Sequence, residues 1–154
     1  YIQEKFAKMS MRICLSNLYT KFRSSKEEGP KLIIGSLTSE YENLDSLMHI
    51  IVAQNIGWDV TYVGNSVPHD ELSYMAEKIG ARTMVIALNN HRDIARKIHE
   101  ITTIKNSANQ KENIVLIGTQ AKNYRHLTDN VQVIISQDLS SFRLTLERFY
   151  SLIR

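Results

Sequence analysis

Short apolar runs alternate with helical segments along most of this chain of 154 residues. Five runs have the length and flanking turn residues of buried strands, and they cover residues 31–36, 58–63, 83–88, 113–117 and 131–135. Segments with apolar residues every three or four positions follow them, the fourth being a short helix or turn, at residues 43–56, 68–79, 91–104, 124–128 and 138–153. Because parallel strands need helical crossovers, the pattern predicts a flavodoxin-like (Rossmann-like) α/β fold with a five-stranded parallel sheet of order 2-1-3-4-5.

A long helix precedes this alternation, at residues 2–23. Its apolar residues form two stripes, the first Ile2, Phe6, Met9 and Ile13 and the second Leu15, Leu18, Tyr19 and Phe22. One sheet face cannot easily bury both stripes, so we expect residues 2–22 to contact another protein, a second copy of the chain or sequence upstream of residue 1. Gly29-Pro30 ends the helical region, which predicts two parts: a helix and linker at residues 1–28, and an α/β domain at residues 29–154.

The bulk composition disfavours several classes of protein. The net charge is only +3 and the basic residues are spread along the chain, so we expect DNA contact only through a missing upstream domain. Cys14 is the only cysteine, which excludes an internal disulfide and a cysteine-cluster metal site and favours a reducing, cytoplasmic location. No apolar run approaches the length of a membrane span, so we expect no membrane partner.

The predicted strand order indicates where a ligand would bind. In the order 2-1-3-4-5 the chain reverses between the first and third strands, and doubly wound sheets bind ligands at the carboxyl edge of that point. The loops after Ser36 and after Leu88 meet there, and the first of them reads SLTSEYE at residues 36–42. This carboxyl edge is therefore the ligand edge of the predicted domain.

The residues of the ligand edge match none of the common chemistries of the fold. Residues 37–42 contain no glycine, which a phosphate-binding loop needs for close approach of its backbone N–H groups. The ends of the first and third strands lack the aspartates of a phosphoacceptor domain, and no serine lies on a Gly-x-Ser-x-Gly turn. The five histidines share no metal-ligand spacing. We therefore expect no enzymatic activity, no catalytic residues and no metal site.

Four residues have a possible functional role as well as a structural one. Glu40 and Glu42 can form a carboxylate pair for acid–base or metal chemistry, although solvated charge before a helix is the commoner role. His91 follows the third strand at the ligand edge, either as a ligand or as a surface residue near the start of a helix. His49 is either a ligand or, more commonly for such a position, a core or partner-facing residue.

Several stretches resemble a known family, the cobalamin-binding domains. The family has a G-x-x-V-x-x-x-G strand followed by Val-Pro, and this chain reads GWDVTYVG at residues 57–64 and then Val67-Pro68. Its opening helix is similar to the last helix of the helical cap that precedes the family's domain, and residues 131–149 resemble the family's final strand and helix. The similarity is nearest to MerR-type light- and cobalamin-responsive transcriptional regulators, in which a DNA-binding winged helix precedes the cap.

The resemblance implies where a cobalamin would be held. The family's first loop carries D/E-x-H-x-x-G, whose histidine coordinates cobalt, and residues 40–45 here read EYENLD. Glu42 thus replaces the histidine and Asp45 replaces the glycine. A carboxylate is a poor replacement for imidazole at this cobalt, and Asp45 adds a charged side chain where the corrin and its nucleotide tail need close approach.

Other family positions at the ligand edge also differ. The third strand usually ends in Ser-x-Leu or Ser-x-Val, whose hydroxyl contacts the nucleotide tail, and here Ala87 stands at the serine. The fourth strand usually ends in Gly-Gly, and here the pair is Gly118-Thr119. A histidine of the cap helix is replaced by Lys5. The candidate cofactor-binding set, taken from these family positions, is Ser36, Thr38, Glu42, Asp45, Ala87, His91, Gly118 and Thr119.

Together these features predict a sensory or oligomerisation domain of a transcriptional regulator that works by protein contact through residues 2–22 and the ligand edge. We expect it to have lost His-ligated cobalamin binding. Two alternatives stay open: a cobalamin or haem sensor that uses other ligands, such as His91, and a corrinoid carrier subunit of a methyltransferase.

Overall fold

In the computed structural model, which describes residues 1–23, 29–39, 44–89, 92–108, 112–127 and 133–153, five parallel strands form one sheet of order β2-β1-β3-β4-β5. The strands are β1 (Lys31–Ser36), β2 (Asp59–Tyr62), β3 (Thr83–Ala87), β4 (Asn113–Ile117) and β5 (Val133–Ile135). The helices are α1 (Ile2–Arg23), α2 (Leu44–Ile56), α3 (His69–Ile79), α4 (Ile94–Ser107) and α5 (Leu139–Ile153), with a 3-10 helix at Ala121–Leu127. The predicted flavodoxin-like fold and its strand order are confirmed.

Helices cover both faces of the sheet, which explains why its strands read as continuous apolar runs. Leu32 and Ile34 of β1 pack in a cluster with residues of α2 and α5, whereas Ile33 between them packs in a cluster with α3 and α4. Each fully buried side chain of this size stabilises the fold by about 1.5–3 kcal/mol. Because all strands run the same way, their carboxyl ends meet at one edge, and the ligand edge is built there.

Two elements differ from their predicted positions. Helix α4 begins at Ile94 and not at residue 91, because Arg92 and Asp93 form a turn in which Asp93 has a left-handed backbone (φ 55°). It also runs to Ser107, although the polar residues 106–112 predict a loop, because Ser107 Oγ donates to the Ile104 carbonyl oxygen at 2.9 Å and so satisfies the helix end. The 3-10 helix begins three residues before the predicted residue 124.

Helix α1 lies along α2 and leaves much of its apolar surface in water. Tyr19 packs against the cluster shared by α2 and α5, and Leu15 is half-buried. The first stripe predicted from the sequence is exposed along its whole length, and the side chain of Phe22 lies outside the described residues. The domain itself therefore covers only part of the two stripes, and a partner for the remainder stays a prediction.

Candidate functional site

The switch point lies where β1 and β3 pair, with Ser36 and Ala87 adjacent in register. The buried Ser36 Oγ lies 2.9 Å from Thr38 Oγ1 and 3.1 Å from the carbonyl oxygens of both Thr38 and Ala87. It also accepts a hydrogen bond from the Thr38 N–H at 3.2 Å. Since one hydroxyl has one proton and two lone pairs, these contacts saturate Ser36. Three candidate residues therefore bind one another.

Asn89 closes the turn after β4. Gly118 has a φ of 104°, and a Cβ there would clash with Asn89 Oδ1 and lie 2.6 Å from the Leu88 carbonyl oxygen. The Thr119 N–H donates to Asn89 Oδ1 at 2.9 Å, and Thr119 Oγ1 donates to the Asn89 carbonyl oxygen at 3.3 Å. The glycine is thus required by the protein's own backbone. Sequence reasoning missed Asn89, although its place directly after β3 was the available signal.

Two aromatic rings pack together on the face of the sheet that carries Ala87. His49 of α2 and Phe142 of α5 are buried edge-to-face with ring centroids 4.6 Å apart, and Phe142 shares a cluster with Ala87. His49 Nδ1 hydrogen-bonds the Asp45 carbonyl oxygen. Burial lowers the pKa of His49 below its ordinary value of 6.5, opposed by that hydrogen bond and by the charge of Asp45. His49 is therefore a core residue, the commoner of its two interpretations.

Six of the eight candidate residues lie in the described part of the chain, and the other two, Glu42 and His91, lie outside it. Asp45 is exposed in the first turn of α2, where its negative charge stabilises the positive end of the helix dipole. The two hydrogen-bond networks above account for the remaining five. The structure thus brings five of the candidates into two separate groups of contacts, one at Ser36 and one at Gly118.

A groove of about 500 Å³ opens at the ligand edge between the start of α3 and α4. Its lining includes His69, Arg96, Lys97 and His99. The buried carboxylate of Glu100 accepts hydrogen bonds from Arg96 Nε at 3.1 Å and Lys97 Nζ at 2.9 Å, so both cations already compensate an anion. Sequence reasoning missed this groove because its residues come from two helices about a fifth of the chain apart.

Tyr124 of the 3-10 helix lies at the centre of the cluster that includes α3 and α4 residues. Burial raises the pKa of Tyr124 above its ordinary value of 10.0, and the charge of Glu100 adds to the effect. Its hydroxyl has no hydrogen-bond partner among the described residues. A phenol held neutral inside the core fits a packing role and not acid–base chemistry.

Within the ranges given above, no three His, Cys, Asp or Glu side chains converge as a metal ion would require. The helices of the same ranges include none that is both long and apolar enough to cross a bilayer. Cys14 is exposed on α1.

Three solved structures share this fold at low sequence identity. The monomethylamine corrinoid protein of Methanosarcina barkeri has a TM-score of 0.75 and 9% identity, covering 96% of this chain and 71% of its own. A cobalamin-binding protein of Desulfitobacterium hafniense DCB-2 has a TM-score of 0.68 and 10% identity, covering 96% and 76%. The methanol:cobalamin methyltransferase complex MtaBC of Methanosarcina barkeri has a TM-score of 0.66 and 10% identity, covering 85% and 51%. No family model and no curated protein matches the sequence.

The chain therefore has a cobalamin-binding-like fold. The resemblance read from residues 57–64 and Val67-Pro68 is confirmed at the level of the fold. Its similarity to MerR-type regulators stays a prediction, and so does the loss of cobalamin binding. Sequence identities of 9–10% show a shared fold and do not show a shared ligand.

Two described positions of the ligand edge, Ser36 and Gly118, do not fit an inserted nucleotide tail as they stand. The tail needs free hydroxyls and close backbone, but Ser36 is saturated by Thr38 and Ala87. The turn at Gly118 is occupied by Asn89, as described above.

Proposed function

We propose that this chain is a non-enzymatic sensory or oligomerisation domain of a MerR-type transcriptional regulator that works through protein contact. Its fold is cobalamin-binding-like, and the polar groups at its switch point bind one another. One observation carries the proposal: Ser36 Oγ, Thr38 and the Ala87 carbonyl form a buried, saturated network at the switch point. A ligand entering there would leave these groups unpaired, which costs about 1–3 kcal/mol for each group.

The exposed apolar residues of α1 support contact with a protein. A monomeric domain gains nothing from keeping a phenylalanine, two isoleucines and a methionine in water on one helix face, and patches of this kind mark interaction surfaces. The four are Ile2, Phe6, Met9 and Ile13.

Absorption spectroscopy tests the loss of cofactor binding. The chain is incubated with hydroxocobalamin and, separately, with haemin, and is then passed through gel filtration. We expect the protein peak to carry neither a corrin spectrum nor a Soret band. A stoichiometric band that travels with the protein would contradict the proposal. A winged-helix segment encoded upstream would support the regulator assignment, and a methyltransferase encoded beside it would favour the carrier.

A second candidate function is tetrapyrrole binding, as a sensor or as a corrinoid carrier. It is favoured by the groove at the ligand edge, whose lining includes His69 and His99. It is also favoured by the three structural neighbours, whose names record corrinoid or cobalamin binding or transfer.

Histidine substitutions distinguish the possible ligands if a band is retained. The band should disappear in His91→Ala if that residue is the ligand, and in His69→Ala or His99→Ala if the groove holds the cofactor. His126→Ala, at an exposed position of the 3-10 helix, is the matched control and should keep the band.

A further inference from the structure

The groove between α3 and α4 is a cavity that the proposed protein contact does not use. Its volume of about 500 Å³ is within the range of roughly 300–1,000 Å³ that is typical of sites for small molecules. Its lining comes from the loops after β1 and β2, through Leu37 and Ser66, and from α4, which follows β3, through Arg96 and His99. These connections flank the switch point, where doubly wound sheets bind ligands.

The loop that forms one wall of the groove is fixed to the end of β1. The Ser66 N–H donates to the Thr38 carbonyl oxygen at 3.2 Å, and the Val67 N–H donates to the Ser36 carbonyl oxygen at 3.0 Å. Ser66 has a left-handed backbone (φ 52°), which a residue other than glycine seldom adopts. Because this backbone is already ordered, a ligand that binds here loses little free energy to ordering the wall.

A buried carboxylate bonds the two cations of the opposite wall. Glu100 is 7% exposed, and its two oxygens accept hydrogen bonds from Arg96 Nε at 3.1 Å and from Lys97 Nζ at 2.9 Å. Each carboxylate oxygen therefore has a charged donor, whereas Arg96 and Lys97 each keep further N–H groups. The side chain of Lys97 is only 15% exposed. This wall consequently offers hydrogen-bond donors to the groove.

The start of α3 offers further donors. Pro68 stands at the N-cap and no side chain caps the helix, so the first-turn N–H groups have no side-chain partner among the described residues. The start of a helix also carries a partial positive charge. Asp70 contributes a carboxylate to the lining, but it is exposed to water.

These groups decide which ligand chemistry fits the groove. An amine needs acceptors, and of the carboxylates in the described lining Glu100 is already bonded by two cations and Asp70 is exposed. A metal ion lacks its usual ligands, since no three His, Cys, Asp or Glu side chains converge within the described ranges. An oxyanion needs charged donors and backbone N–H groups, which Arg96, Lys97 and the start of α3 supply.

We propose that the groove binds a small molecule through a phosphate or carboxylate group. The oxyanion accepts hydrogen bonds from Arg96, Lys97 and the first-turn N–H groups of α3. The inference goes beyond the proposed function, because the groove is separate from both the saturated network at Ser36 and the exposed stripe of α1.

Amide NMR spectroscopy of the full chain tests the proposal. The chain is titrated with inorganic phosphate and, separately, with acetate, at constant ionic strength. We expect saturable shifts at the amides of residues 69–71, Arg96 and Lys97, with a dissociation constant of about 5 mM or lower for the better probe. Tighter binding of phosphate would identify a phosphate-bearing ligand, and tighter binding of acetate a carboxylate-bearing one. No saturable shift with either probe, or the same shifts with chloride, would overturn the inference.

A matched pair of arginine variants tests the cationic wall. Arg96→Gln should weaken the better probe by about tenfold, because a charged donor is lost, and its 74% exposed side chain makes unfolding unlikely to follow from the change. Arg82→Gln changes the net charge equally at an exposed position before β3, at the opposite edge of the sheet, and should keep the affinity. If both variants weaken binding alike, the effect is one of net charge and the inference fails.

Asp70→Asn tests the sign of the charge that the groove accepts. Removal of a carboxylate that repels the oxyanion should tighten the better probe by about two- to fivefold. Asp59→Asn, at the exposed start of β2, is the control and should leave the affinity unchanged. Weaker binding by Asp70→Asn would mean that the carboxylate helps to hold the probe, and the proposed oxyanion site would be wrong.

These outcomes are distinguishable from those for the proposed function. The NMR titrations use the chain without a tetrapyrrole, so a corrin or Soret band retained in gel filtration would contradict the proposed loss of cofactor binding and leave the phosphate result in place. An absence of phosphate and acetate shifts would overturn the oxyanion site and leave protein contact through α1 intact.

Discussion

At the scale of single residues, the ligand edge is held by groups that satisfy one another. Ser36 bonds Thr38 and the Ala87 carbonyl, and Asn89 bonds the loop after β4 through Thr119. The bond from Ser36 to Ala87 joins β1 to β3, and the bond from Thr119 to Asn89 joins the loops after β4 and β3, so these two contacts stabilise the edge. The resemblance implies cofactor contacts at Ser36, Thr38, Ala87 and Thr119, and in this structure these residues contact one another or Asn89.

Gly118 is the residue whose replacement should cost most at this edge. Gly118→Ala places a Cβ against Asn89 and the Leu88 carbonyl at a φ of 104°, so we expect a loss of about 3 kcal/mol or more in the free energy of unfolding. Gly80→Ala is the matched control, because Gly80 also has positive φ but has open space around its Cβ position, and it should cost only about 1 kcal/mol. Urea denaturation checks the difference, and equal costs would show that the contacts with Asn89 and Leu88 do not matter.

His49 should make stability depend on pH. Its pKa is lowered in the folded state, mainly by burial, so the unfolded chain binds more protons below pH 6.5 and the free energy of unfolding falls as the pH falls through that value. The contribution is complete above pH 6.5. His49→Gln should flatten the curve between about pH 5 and pH 7. His126→Gln removes an exposed imidazole and is expected to keep the slope, and a slope unaltered by His49→Gln would contradict the assignment.

At the scale of secondary structure elements, α1 differs from the rest. Helices α2 to α5 bury one face against the sheet, whereas α1 packs on α2 and leaves its first stripe exposed to water. Its two stripes therefore have different roles. Tyr19 of the second stripe packs in the domain, whereas the first stripe is exposed.

Paired truncations of α1 should separate the two stripes. Tyr19→Ala removes packing against the cluster of α2 and α5, and it should lower the free energy of unfolding by about 1–2 kcal/mol. Phe6→Ala removes an exposed ring and should change it by less than about 0.5 kcal/mol. Chemical denaturation of the two variants measures both values, and an equal loss would mean that the first stripe also supports the fold.

At the scale of the whole molecule, the fold places two different surfaces on one domain. The carboxyl ends of the parallel strands form the ligand edge, which carries the hydrogen-bonded switch point and a polar groove. Helix α1 carries a formal charge of +4, from five basic residues and one acidic residue, and exposes its first apolar stripe. Structural neighbours with 9–10% identity share the fold, because apolar patterning suffices for the architecture.

Much of the architecture and little of the site could be predicted from the sequence. The apolar runs that contain Leu32 and Val85 predict buried strands from local sequence alone. Gly80, directly after α3, ends that helix in a left-handed conformation, as a glycine at this position predicts. The role of Asn89 depends on a loop about thirty positions later, and the groove depends on two helices. Such contacts leave no periodic signal in the chain.

The sequence by itself determined the α/β class, the strand order, the position of the ligand edge and the existence of an apolar excess on the first helix. These follow from periodicity and from the short connections that a parallel sheet allows. Only the tertiary structure decided that Ser36 is saturated by Thr38 and Ala87, that His49 is a core residue, and that the first stripe of α1 is exposed along its length. The physical reason is that hydrogen-bond satisfaction and burial are properties of residues brought together from distant parts of the chain.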